Sequence, residues 1–596
     1  MVPQSSRPVR ASFDVAATMR DGTVLRANVF QPDDGGAGRY PVLLTRLPYG
    51  KDLPLGSAAL IPEQAARLGY VVVVQDVRGT FASDGEFFPM LAEQRDGYDT
   101  VEWAARLPGA NGEVGMYGVS YFGHTQWAAA SQHPPSLRAL LPMHTWNDTG
   151  APNAGVVWRN GVLQFGGEVA WQLEMALPQL PRRIRNDPQA LARAIYALTR
   201  EIDRLPTQGF SELPLDAFGP FTRAGTGEAW RYSIEARENP ALAVQSAVAA
   251  AYELPLPVFH IGGWYDLFLG GTIANFQAMR AAGNRRQWLL IGPWTHGNVN
   301  HVQGDVDFGF VSGGALLDYQ IDLMSLSLQF FDHALKGAAN LFNAMPPVKY
   351  FLMGANVWKS AGTWPPAEAA TQAWYLASSG HANSLRGDGT LSSGVSGGRP
   401  TGAEAVDSFA YNPAAPVPTV GGAHQLPAIF RRGPVDQRPV EERDDVLVYS
   451  SAPLEAPVVV AGPVAATLYV ATDAPDTDFV ARLVDVYPDG RAIALTDGVV
   501  RLSLREGLQT RAEVRSGEVY RVEIDLWSTA NAFLPGHRIR LDVTSSSFPR
   551  WERNLNTGAD CARSTQMCVA RQRVLHDADH PSHLTLYVLP AEDAPA

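Results

Sequence analysis

The spacing of hydrophobic and polar positions changes rhythm three times along the chain. Apolar and polar residues first alternate, in Ser12-Phe13-Asp14-Val15 and again from Thr23 to Phe30, with a turn at Arg20-Asp21-Gly22 between them. A period of two predicts an antiparallel hairpin. Unbroken apolar runs follow at Pro41–Thr45, Val71–Gln75, Ala139–Met143, Pro257–Ile261 and Gln287–Ile291, with a helix-like stretch at Ala58–Leu68. Strands without a polar face are covered on both sides, so alternation of such runs with helices predicts a mainly parallel α/β sheet. From about Trp146 to Ser246 the period turns helical, most clearly over Val169–Leu177 and Pro188–Leu205, with Trp158, Phe165 and Trp171 interspersed. An insertion at a strand end lies over the carboxyl edge of the sheet, where α/β proteins bind ligands, so a cap is predicted there. After Pro346 short β-rich runs take over, at Val446–Tyr449, Ala466–Val470, Phe479–Val486, Tyr520–Leu526 and Ile539–Val543. Gly/Ser/Pro-rich connections such as Ser378–Pro400 and Asn412–Gly422 separate them, which predicts an all-β domain of jelly-roll form. No repeat period is present.

Length and composition agree with several domains. A chain of 596 residues exceeds what one core holds and implies about three or four domains. The pattern divides it into an α/β domain in two parts, 1–145 and 247–346, a helical cap at 146–246 and the β-rich domain at 347–596. With 46% apolar and 18% charged residues the composition is that of an ordinary globular protein. A net charge of −12 without a basic run excludes a nucleic-acid surface. The first ten residues lack the apolar core of a secretory signal, and no later run approaches a membrane span, so a cytoplasmic location without membrane association is expected. Two cysteines, Cys561 and Cys568, are read as unpaired thiols. With no CxxC, HExxH or His/Cys cluster at ligand spacing, no metal and no cofactor is expected. The pattern is compatible with a homodimer and does not require one.

Chemistry enters at Gly115-Met116-Tyr117-Gly118-Val119-Ser120-Tyr121-Phe122-Gly123-His124, which reads as a strand end, a sharp turn bearing Ser120, and a helix start. Such an elbow exposes a serine hydroxyl and aims the first helical N–H groups at it. In the usual G-x-S-x-G pattern the last glycine comes one place earlier, so the string alone also allows Ser120 to be a helix N-cap. Where Ser120 is a nucleophile, an acid and a histidine follow it in that order, each past a strand end. Asp266 follows Pro257–Ile261 through Gly262-Gly263-Trp264-Tyr265, and His296 follows Gln287–Ile291 through Gly292-Pro293-Trp294-Thr295. Alternatively Asp266 caps the next helix and His296 is a surface histidine. His124 points away from Ser120 on the elbow helix, His260 belongs to the core, and Asp76 is read as a buried partner of Arg78. Besides the N–H of Tyr121, an oxyanion site needs a second donor from the loop Arg46-Leu47-Pro48-Tyr49-Gly50-Lys51. That loop has no glycine run, so the Tyr49 phenol is the candidate, packing beneath the cap being its other role.

These residues resemble a family of serine hydrolases that takes in cocaine esterases, α-amino acid ester hydrolases and X-Pro dipeptidyl peptidases (CocE/NonD). Carrying the resemblance are Pro48-Tyr49-Gly50-Lys51, Gln75-Asp76-Val77-Arg78-Gly79, Gly118-Val119-Ser120-Tyr121-Phe122-Gly123, Gly262-Gly263-Trp264-Tyr265-Asp266 and Gly292-Pro293-Trp294-Thr295-His296. Thr477–Gly490 and His580-Pro581-Ser582-His583 extend it into the last domain. The family's G-x-S-Y-x-G elbow accounts for the late Gly123. The resemblance implies an α/β-hydrolase domain with a helical cap and a jelly roll. It implies Ser120 as nucleophile, His296 as base, Asp266 as its orienting acid, and Tyr49 hydroxyl with Tyr121 amide as oxyanion donors. The cocaine-esterase branch fits best, because Leu267 and Phe268 stand where the amino ester hydrolases carry acids. A small-molecule ester with an uncharged, aromatic or hydrophobic acyl group is expected, with Phe268, Trp171 and Phe165 as walls. An acylase or X-Pro-type peptidase acting on amides, and a non-catalytic carbohydrate-binding protein, are the alternatives.

Overall fold

The computed structural model describes residues 7–147, 156–235, 248–393, 405–508 and 510–590. Ten strands form one sheet: β1 (Val9–Thr18), β2 (Val24–Pro32), β3 (Tyr40–Leu47), β4 (Val71–Asp76), β5 (Ala110–Val119), β6 (Leu137–Met143), β7 (Val258–Tyr265), β8 (Gln287–Thr295), β9 (Val348–Leu352) and β10 (Val357–Ala361). Their spatial order is β1-β2-β4-β3-β5-β6-β7-β8-β9-β10. The alternating segment pairs as the expected hairpin, β1 against β2, and β2 runs antiparallel to β4. From β4 to β9 every pairing is parallel. These are the strands with unbroken apolar runs, and α2 (Glu93–Ala104) and α3 (Tyr121–Ala130) are among the helices packed on them. The helix expected from Ala58 starts only at Pro62, giving α1 (Pro62–Arg67). Proline suits a first helical position, where its missing N–H costs nothing, so the helix begins there.

Between β6 and β7 lie helices including α4 (Phe165–Ala176) and a longer one at Pro188–Arg204. They have a core of their own built around Phe165, Phe210, Phe218, Phe221 and Trp230. Parts of the predicted cap, residues 148–155 and 236–247, lie outside the described residues, as does part of the connection before Pro400. The carboxyl-terminal region is all-β. Its longest strand, Val458–Thr472, pairs antiparallel with Tyr520–Phe533 from Val458↔Phe533 to Val470↔Tyr520. The two domains share one core: Trp264, Leu289 and Tyr350 of the sheet join the same buried cluster as Leu468, Ile524 and Leu541. Backbone bonds from Met353 N to Ala530 O and Ala532 N to Met353 O stitch the seam. Among the described residues no helix is long and apolar enough to cross a membrane. Cys561 and Cys568 are both free.

Candidate active site

Register decides what meets at the carboxyl edge of the sheet. Val119 of β5 pairs with Met143 of β6, so Ser120 and His144 emerge side by side. Tyr265 of β7 pairs with Thr295 of β8, so Asp266 and His296 emerge side by side one strand pair further on. The four residues therefore line up along consecutive strand ends.

Ser120 sits at φ 59° and ψ −123°, a conformation that costs a non-glycine residue about 1–3 kcal/mol. The surroundings enforce it. Its N–H donates to Met143 O, while its carbonyl accepts from the N–H of Gly123 and His124 and from Thr145 Oγ1, each at 2.9 Å. Its side chain makes no capping bond to α3. Instead Oγ–H donates to His296 Nε2 at 2.9 Å, and His296 Nδ1–H donates to Asp266 Oδ1 at 3.0 Å. Asp266 also accepts from Phe268 N, so part of its expected capping behaviour persists, although the helix itself starts at Leu269. Burial raises the Asp266 pKa, but His144, His296 and these hydrogen bonds outweigh it and hold the carboxyl below its ordinary range.

The late glycine has a physical cause. A Cβ at Gly123 would stand 2.8 Å from Thr145 Cβ and 3.1 Å from Met143 O, so α3 can lie against the end of β6 only without one. Gly118, at φ +151°, would place a Cβ 2.4 Å from Phe122. Both ends of the elbow are closed to side chains.

Tyr49, past β3, is held beside Ser120, and burial pushes its phenol up to about 12, so it stays a proton donor. Tyr121 begins α3. Its ring is fixed from behind, its hydroxyl donating to Glu93 Oε1 at 2.8 Å and accepting from Met90 N at 3.1 Å. Buried Arg46 donates to the other oxygen of Glu93 at 2.8 Å.

Two cavities meet at Ser120. One, of about 80 Å³, is lined among others by Trp146, Trp171, Leu267, Phe268, Gln425 and Arg550. The other, of about 940 Å³, is a wide and largely apolar groove past His296, Leu53, Met143, Met175 and Met324. Ser120, Tyr49, Trp171 and Gln425 border both.

Phe268 and Trp171 thus stand on the smaller cavity, but Phe165 does not. On α4 the residues facing the cavity are Gly167, Glu168 and Trp171, with Gln164 just before the helix. Phe165 turns away from the cavity and packs against Phe210, Phe218 and Trp230 of the cap and Phe548 of the β domain. Asp76 and Arg78 do not pair as expected. Arg78 reaches out to Asp96 and Asp21, at 2.6 and 2.9 Å. Asp76 turns to the backbone N–H groups of Lys51 and Ala82, and burial raises its carboxyl to about 6. His124 stacks on Trp146 with centroids 4.9 Å apart, and His260 is buried against Gln287.

Some residues at the site escaped the sequence reading. His144, fully buried, accepts from Gly297 N at 3.1 Å and lies 3.7 Å from the second oxygen of Asp266. Burial lowers its pKa to about 4, which keeps it neutral. Its signal was present, a histidine directly past the apolar run ending at Met143. His424, Gln425 and Arg550 arrive from the β domain, and nothing local in the sequence announces that. His144, Asp266 and His296 place three donor atoms within 4.8 Å of one another. Asp266 and His296 are committed to each other and to Ser120, so a cation would have to break that chain.

A hydroxyl against an imidazole, itself against a buried carboxylate, can lose its proton while attacking a carbonyl carbon. Fold and site together define a serine hydrolase of the α/β-hydrolase class. Residues 21–298 match the family of X-Pro dipeptidyl-peptidases (S15 family), and residues 340–585 match the X-Pro dipeptidyl-peptidase C-terminal non-catalytic domain. The chain is 37% identical to the cocaine esterase of Rhodococcus sp. (strain MB1 Bresler), over 97% of this chain and 98% of that protein. It belongs to the S15 peptidase/cocaine esterase family. Solved structures with the same fold include an α-amino acid ester hydrolase (23% identity, TM-score 0.78, 99% and 98% of the two chains). An aminopeptidase from a marine sediment archaeon, Thaumarchaeota archaeon, is equally similar (24% identity, TM-score 0.78, 99% and 98%).

Proposed function

We propose that the chain hydrolyses carboxylic esters through an acyl-enzyme on Ser120. The observation that carries this reading is the Ser120–His296–Asp266 chain of hydrogen bonds, at 2.9 and 3.0 Å, opening onto two separate cavities. His296 takes the proton of Ser120 as the acyl carbon is attacked and returns it to the leaving alcohol. The Tyr49 hydroxyl and the Tyr121 N–H receive the oxyanion.

Proton return decides which half of the ester enters which cavity. The leaving oxygen must face His296, and His296 borders the wide groove and not the small cavity. The alcohol therefore occupies the groove, and the acyl group sits among Trp171, Phe268, Leu267 and Trp146. Apolar walls of this kind suit an uncharged, aromatic or hydrophobic acyl group. Glu168 also borders this cavity, where Gln172 and Ser233 donate to one of its oxygens, and burial raises its pKa against those two hydrogen bonds. The name of the Rhodococcus relative agrees with ester chemistry.

Hydrolysis of p-nitrophenyl acyl esters tests the reading. Ser120→Ala is expected to fold normally and lose turnover, and Tyr49→Phe to lose about a hundredfold or more in kcat, the usual effect of removing one oxyanion donor. Near-normal turnover of Ser120→Ala would refute the reading. Matched ester and amide substrates, with and without an α-amino group, separate it from peptidase or acylase activity. The ester without the amino group is expected to be turned over fastest.

A further inference from the structure

Trp171 faces the acyl cavity, yet its polar atom points elsewhere. The indole Nε1–H donates to the Tyr49 hydroxyl at 3.2 Å, across 122 positions of sequence and from the cap to the loop after β3. Its ring lies over that of Tyr121, with centroids 6.2 Å apart and planes inclined by 26°. One cap side chain thus touches both residues assigned to the oxyanion site.

We propose that Trp171 is a positioning residue for the oxyanion site, its N–H fixing the Tyr49 hydroxyl so that the phenol hydrogen points toward Ser120. This rests on the reading of Tyr49 as an oxyanion donor. Hydrogen-bond capacity sets the direction: an indole N–H donates and never accepts, whereas a phenol does both. Trp171 occupies one lone pair of the phenol oxygen, and Ser120 is the other side chain in hydrogen-bonding reach of that hydroxyl. A free phenol hydroxyl would rotate between two in-plane positions, and half of that freedom is lost before substrate arrives. An oxygen that accepts one hydrogen bond also donates a stronger one, because the two polarise each other. The Trp171 bond pulls the phenol's pKa down against burial, as expected if it favours charge moving onto that oxygen. Because Trp171 belongs to α4, the oxyanion site is complete only when the cap helix is seated.

The experiment is a double-mutant cycle on Trp171→Phe and Tyr49→Phe, read as kcat and KM for acetyl, butyryl and benzoyl p-nitrophenyl esters. Phenylalanine keeps an aromatic wall and removes the N–H. Trp171→Phe is expected to lower kcat about 3- to 10-fold, as for one net hydrogen bond, with KM within about twofold. The loss should vanish in the Tyr49→Phe background, where no hydroxyl remains to orient, whereas an effect through the acyl wall grows with acyl size and persists in that background. A kcat loss that recurs in full in the Tyr49→Phe background would overturn the proposal and leave Trp171 a packing residue. So would unchanged kcat in Trp171→Phe. Normal kcat in Tyr49→Phe alone would instead refute the oxyanion reading itself, and the proposal with it. Should Trp171→Phe fail to fold, Trp171→Leu goes through the same cycle.

Discussion

Ser120 keeps its strained backbone because four groups around it, Met143 O, Gly123 N, His124 N and Thr145 Oγ1, hold that conformation, and the geometry it gains is the bond from Oγ to His296. The charges behind that bond are fixed as well. Asp266 is held below the ordinary carboxylate range, so it is ionised above about pH 5, and His144 at about 4 is neutral over the same span. Neither changes state between pH 5 and 8, so any pH dependence of activity over that span comes from another group. The carboxyl raised to about 6 is that of Asp76, which holds the N–H of Lys51 beyond Tyr49 and loses its charge as the pH falls through that value, so Asp76→Asn is expected to flatten log(kcat/KM) against pH between pH 5 and 7. An unchanged profile in Asp76→Asn would show that Asp76 has no part in it. At this scale the sequence was informative where chemistry and placement coincide, a serine on an elbow and an Asp and a His just past strand ends. His144 meets the same placement rule but has no part in the Ser-acid-His order, so that order does not single it out.

Among the elements, strand register does most of the assembling. Pairings Val119↔Met143 and Tyr265↔Thr295 leave Ser120, His144, Asp266 and His296 at neighbouring ends, and the apolar runs made those strands visible in the sequence. What the runs could not reveal is how closely α3 approaches β6. That approach appears only as the late Gly123, whose would-be Cβ meets Thr145, the residue whose hydroxyl holds the Ser120 carbonyl. Gly123→Ala is therefore expected to destabilise the protein by about 1–3 kcal/mol, as overpacking does, and to lower kcat by displacing Ser120. Gly362→Ala, with no heavy atom within 4 Å of the new methyl, is the neutral control. Equal melting temperatures and activities for the two variants would contradict this account.

The whole molecule shapes the pocket, and here the sequence was least legible. Periodicity found the cap helix over Val169–Leu177, but it does not say which face looks inward. Phe165 and Trp171 share α4, yet Phe165 anchors the cap core and Trp171 reaches the site. The β domain was recognisable from its short runs, while the arrival of Gln425 at the boundary of both cavities depends on contacts hundreds of residues apart. Gln425→Ala is expected to change KM and acyl selectivity for benzoyl esters while leaving kcat for acetyl esters within about twofold. A uniform loss of kcat would instead give Gln425 a part in the chemistry.

The proposed chemistry stands on Ser120 carrying the acyl group. A rapid quench of the protein with an excess of a p-nitrophenyl ester, followed by intact-mass and peptide-mass measurement, reads that covalent intermediate itself. The expected result is a mass gain of one acyl group, located on the peptide containing Ser120 and absent from Ser120→Ala. An adduct on another residue, or turnover of the ester by Ser120→Ala at the normal rate, would contradict it.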